Sequence, residues 1–127
     1  MSMLESAPVH RMAIRYLDND PPRTDDPLLA QLVGRLVDVY HPERVYLFGS
    51  VARGDASPDS DYDLMVVVPD EAPPELQSSK AACAVLWELR MPADVHVLTR
   101  HRFDRQLHLR ASLPSTVLRE GKLLHAA

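Results

Sequence analysis

The sequence predicts an α/β (α+β) domain: a small mixed sheet of three to four strands flanked by helices. Three observations carry this reading. Two short runs rich in β-branched and aromatic residues, Arg44-Val45-Tyr46-Leu47-Phe48 and Asp61 to Val68, stand close together. A third, Ala93 to Leu98, follows a helical stretch. Prolines fall mostly where one segment gives way to the next.

The elements follow in order. Asp26-Pro27 is a helix start, a capping carboxylate before a proline at the first helical position. Leu28, Leu29, Leu32, Val33, Leu36, Val37 and Tyr40 then form a wide apolar stripe, which His41-Pro42 ends. The first strand runs to Phe48, and a turn bearing glycine, serine and arginine leads to the second. Leu64-Met65-Val66-Val67-Val68 is apolar on both faces, as a central strand requires. Pro73-Pro74 opens a helix through about Arg90, with Leu76, Cys83, Leu86, Trp87 and Leu89 as its apolar side. Cys83 is expected to be a buried small hydrophobe and Trp87 to lie in the core. After the third strand come helices near Arg102–Arg110 and Pro114–Glu120, Gly121 as terminator, and Leu123-Leu124 as a short edge segment.

Residues 1–26 read as an extension to a domain spanning 27–127. Val9, Met12, Ala13, Tyr16 and Leu17 follow amphipathic helical spacing, with Ser6 as a cap and a polar, proline-bearing linker after them. The segment is either a frayed tail or a short helix that docks on the body, on a second copy or on a partner.

With 127 residues, the chain suits one domain. Its 14 basic and 18 acidic side chains leave a formal charge of −4, so it has no general attraction for nucleic acid or anionic lipid. No apolar run approaches the ~20 residues of a membrane span, and no signal peptide is evident; a cytoplasmic location is expected. One cysteine forms no internal disulfide.

The chemistry concentrates between Leu47 and Leu64. A strand runs into Gly49-Ser50, and Ser50 is placed to cap a short helix from Val51, whose amides suit a phosphate. Gly49 permits close approach to the backbone. Arg53, one turn on, supplies local positive charge. Asp61 and Asp63 are two apart on a strand, so both leave one face. Such a pair is costly without a cation, and Mg²⁺ favours carboxylate oxygens together with water and substrate phosphates. If the third strand neighbours the second, Asp94 joins them. Three carboxylates can hold one or two divalent ions and orient an attacking hydroxyl. Asp55 and Asp59 read as solvated turn residues.

Gly49-Ser50, ten intervening residues and Asp61-Tyr62-Asp63 together resemble the signature of the DNA polymerase β-type nucleotidyltransferase superfamily, and most of all its minimal nucleotidyltransferase branch. The resemblance covers roughly Leu28 to Leu124. It implies that Gly49 and Ser50 hold the triphosphate of ATP or another nucleoside triphosphate. It gives Asp61 and Asp63 to Mg²⁺ and maps the third acidic residue to Asp94. Arg53 is then a phosphate contact or an ion-pair partner of Asp63 or Asp94. The implied reaction moves a nucleoside monophosphate to a hydroxyl acceptor and releases pyrophosphate. Too little chain follows the core for a DNA- or RNA-recognising domain, and the acidic charge also argues against such acceptors. Minimal members work with a separate HEPN-type partner protein as the antitoxin of a toxin–antitoxin pair, to which they attach AMP. The alternative is a catalytically weak or inactive, antitoxin-like binding module that neutralises a partner by occlusion. A homo-oligomer is left open.

Other candidates read more plainly. His10, His41, His96, His101, His108 and His125 are too scattered for a zinc site, though His96 shares face parity with Asp94. The basic set Arg100, His101, Arg102, Arg105, His108 and Arg110 is by default a solvated face, with a docking surface for nucleotide or an acidic partner as the other reading.

Overall fold

The computed structural model describes residues 26–54 and 61–127. The expected amphipathic segment Val9–Leu17 and the turn residues Asp55 and Asp59 lie outside the described residues.

Helix α1 (Pro27–Tyr40) begins as its sequence dictates: Asp26 accepts a hydrogen bond from Leu28 N at 2.9 Å, and His41 closes the far end in the left-handed region at φ 48°. Strand β1 (Arg44–Phe48) leads directly into a five-residue helix, α2 (Gly49–Arg53). Strand β2 (Tyr62–Val68) follows, then a 3₁₀ turn at Pro74–Leu76, helix α3 (Lys80–Leu89) and strand β3 (Ala93–Thr99). Helices α4 (Arg100–Asp104) and α5 (Leu113–Glu120) precede the last strand, β4 (Lys122–Ala126).

The strands form one sheet in the order β3-β2-β1-β4. β2 runs antiparallel to β1 and parallel to β3, and β4 pairs antiparallel with the outer side of β1. The parallel pair requires a crossover, which α3 provides. The expected mixed sheet flanked by helices is the observed fold, and the segment at Leu123-Leu124 widens into a full edge strand.

β2 is central and covered on both sides, which explains its unbroken apolar run. On one face Leu64, Val66 and Val68 meet Leu29, Leu32, Leu36 and Tyr40 of α1 and Ala82 and Val85 of α3. On the other, Met65 and Val67 meet Tyr46, Phe48, Phe103 and Val117. Tyr46 and Phe103 stack there with ring centroids 5.9 Å apart, and Arg44 lies over both rings. Each fully buried leucine or valine contributes about 1.5–3 kcal/mol by leaving water.

Three expectations about helices are corrected. The stretch Pro73–Arg90 is a 3₁₀ turn followed by a shorter helix, because Ser78-Ser79 interrupts it. The helix expected over Arg102–Arg110 ends at Asp104 and continues as turns. The buried side of α3 is Ala82 and Val85, with Leu86 and Leu89 partly covered, whereas Cys83 is exposed and Trp87 is 84% exposed. The run Ala81-Ala82-Cys83-Ala84-Val85 is apolar all round and marks no unique face. The small side chains of Ala82 and Val85 are the ones α3 turns into the core, and the indole stands in solvent.

Candidate active site

The ends of β1, β2 and β3 meet at one edge of the sheet. β1 arrives there at Phe48, while β2 and β3 both start there. Phe48 is the register partner of Asp63, and Asp63 is in turn the partner of Asp94. Pairing in a parallel ladder sends the Asp63 and Asp94 side chains out on the same face. That face is the Met65–Val67 side, away from α1 and α3. Asp61 has the same parity but stands just before β2, and it is exposed. It is therefore a flanking residue of the strand rather than part of it.

Asp63 is half-buried, and its environment pushes its carboxyl pKa above the ordinary 3.8. Burial is the largest cause, followed by the negative charge of Asp94; Asp61 acts in the same direction. His96 and Arg53 pull the other way. Two strands and the turn thus place a crowded set of charges around one carboxylate.

Gly49 fits against that carboxylate. Its φ is +77°, and a Cβ there would lie 3.1 Å from Asp63 Cγ and closer still to Oδ2. Only glycine meets both demands. α2 begins at Gly49, two residues before the expected start at Val51, so its N-cap is Phe48 and Ser50 lies within the helix instead of capping it. Phe48 offers no side-chain acceptor, so the cap residue itself leaves the first amides of α2 without a side-chain bond. Ser50 is half-buried beside them.

Arg53 pairs with Glu120 of α5, Nη1 to Oε1 at 3.3 Å. The sequence offered Asp63 or Asp94 as its ion-pair partner; Glu120 escaped notice because only the packing of α5 beside α2 brings it near. His96 shares the Asp94 face, and its ring centroid lies 5.6 Å from that of Phe48. Next to it is a cavity of about 330 Å³ whose walls include Met65, His96, Leu98, Gln106 and Pro114. This is at the small end of ligand pockets.

Among the described residues, no group of three or more His, Cys, Asp and Glu side chains is arranged to hold a metal ion. The donor set still suits Mg²⁺. It consists of hard carboxylate oxygens whose burial and crowding raise the Asp63 pKa, and Mg²⁺ usually takes one or two carboxylates plus water and substrate phosphate. Among the described residues no helix is long and apolar enough to cross a membrane.

Residues 29–124 match the family described as nucleotidyltransferase domain. No curated protein matches the chain. A solved toxin–antitoxin with AMP-PNP shares 22% identity at a TM-score of 0.50, covering 76% of this chain and 73% of that one. The toxin–antitoxin MntA–HpeT carrying two aspartate-to-glutamate substitutions shares 20%, with a TM-score of 0.49 and coverage of 76% and 73%. A protein from Sulfolobus solfataricus described as a candidate nucleotidyltransferase shares 26%, with a TM-score of 0.46 and coverage of 76% and 78%.

Proposed function

The chain belongs to the nucleotidyltransferase domain family, and from that premise we propose that it moves a nucleoside monophosphate, AMP from ATP, to a hydroxyl of a partner protein. The observation that carries the reading is Asp63, packed against the Gly49 turn and paired in register with Asp94. The solved toxin–antitoxin bound to AMP-PNP supports both an adenine nucleotide and a protein partner, for which a HEPN-type toxin is the proposed identity.

In this reading the first amides of α2 and the Ser50 hydroxyl hold the triphosphate, and Arg53 adds positive charge at their side. Asp61, Asp63 and Asp94 would hold Mg²⁺, one ion or two. When bound, the metal supplies charge neutralisation for the phosphates and lowers the barrier to in-line displacement. The exposed Asp94 carboxylate takes the proton of the incoming hydroxyl as its oxygen bonds to the α-phosphorus. The bond from that phosphorus to the bridging oxygen breaks, and pyrophosphate leaves. The cavity beside His96 takes the base.

Mass spectrometry of the partner protein, after incubation with the full-length chain, Mg²⁺ and each nucleoside triphosphate in turn, tests this. The expected result is a gain of one adenylate from ATP that Asp63→Asn abolishes. Labelling that survives in an Asp61→Asn/Asp63→Asn variant overturns the assignment. Neutralisation of the partner by that variant without any mass gain would instead make the chain an occluding antitoxin.

A further inference from the structure

A second surface, outside the carboxylate site, is apolar and open. Cys83, Leu86, Trp87, Arg90, Met91 and Pro92 line a groove of about 550 Å³ along the outer side of α3 and its descent into β3. Trp87 is 84% exposed, an unusual solvation for the largest apolar side chain in the protein.

The described chain begins beside this groove. Asp26 accepts a hydrogen bond from the Tyr62 hydroxyl, and the Tyr62 amide donates to the Pro92 carbonyl at 3.4 Å. One tyrosine therefore spans from the point where residues 1–25 join the fold to the groove wall. Those residues carry the stripe Val9, Met12, Ala13, Tyr16 and Leu17. Eight residues separate Leu17 from Asp26, and the nine Cα-to-Cα steps between them reach up to about 30 Å. The stripe runs on into Asp18, Asn19 and Asp20, opposite in charge to Arg90 in the groove wall.

We propose that the apolar stripe of residues 9–17 docks in the groove formed by Cys83, Leu86, Trp87, Met91 and Pro92 of the same chain. Five apolar side chains on one helical face match a trough bounded by an indole and a proline, and the short tether favours the intramolecular partner over any external one. The inference is independent of the proposed reaction, since no residue of the groove belongs to the carboxylate site.

Two measurements on the full-length chain test it. Cys83 is the single cysteine and Trp87 the single tryptophan, so each reports on the groove alone. With oxidised glutathione as oxidant, Ala13→Cys is expected to form a disulfide with Cys83 within the monomer, and Ile14→Cys, off the stripe, to do so far more slowly. A Met12→Asp/Leu17→Asp variant is expected to show tryptophan emission shifted to the red and quenched more readily by acrylamide. The proposal is overturned by equal crosslinking at both cysteine positions, by crosslinked dimers without the intramolecular product, or by unchanged emission. Emission that varies with protein concentration also overturns it and identifies a second copy as the occupant.

Discussion

Gly49 and Asp63 occupy adjoining space so closely that a single added carbon on the glycine would lie 3.1 Å from Asp63 Cγ, inside normal contact. The turn and the carboxylate are therefore fixed relative to each other by shape, with no hydrogen bond needed. Gly49→Ala must move one or the other while also holding an L-residue at φ +77°. The expected loss is roughly 1–3 kcal/mol of stability. Urea denaturation measures it, and nucleotidyl transfer by the remaining folded protein should fall as well.

Asp63→Asn should stabilise the fold as it abolishes transfer. The wild-type carboxyl has a raised folded pKa, so between the ordinary 3.8 and that higher value the folded chain holds more protons than the unfolded one. Stability then declines as pH rises through this window, and the cost persists above it. The variant lacks the decline. It should match wild type below pH 3.8 and exceed it at neutral pH, by less than about 1 kcal/mol at so solvent-screened a site. Thermal melts across the acid range test the sign.

Tyr40 joins α1 to the crossover. Its hydroxyl donates to the Ser78 carbonyl at 2.7 Å and accepts from the Ala82 amide at 2.9 Å, and burial raises its pKa above 10.0. Tyr40→Phe keeps the packing but leaves the buried amide without its acceptor. The expected cost is about 1–3 kcal/mol, read as a lower denaturant midpoint.

The Arg53–Glu120 pair separates stability from binding. Both side chains are well exposed, at 44% and 38%, so Glu120→Gln should change stability by less than about 1 kcal/mol. Arg53→Ala should weaken affinity for an ATP analogue in a calorimetric titration with Mg²⁺, and added salt should narrow the gap between it and wild type.

How much of this was legible in the sequence differs from residue to residue. α1 was readable at both ends because Asp26-Pro27 and His41-Pro42 act locally. The parity of Asp61 and Asp63 follows from strand geometry alone. The match of Asp63 with Asp94 does not, since it depends on the register of a parallel pair separated by a whole crossover. Trp87 and Cys83 misled because the run through Val85 is apolar all round, and the side that α3 turns into the core is that of Ala82 and Val85. Glu120 carried no local signal, as its meeting with Arg53 is a product of tertiary packing.

The end of the sheet remote from the carboxylates is tied differently. Arg100 pairs with Glu43 at 3.2 Å and with Asp70 at 3.5 Å, and Asp70 also receives the His101 amide at 2.7 Å. Front and back of the molecule thus have opposite characters, one crowded with like charge and the other clasped by ion pairs. A fluorophore, linker or surface attachment introduced at the exposed Glu71 would hold the protein by its back, leaving the mouth facing outward for substrates of any bulk.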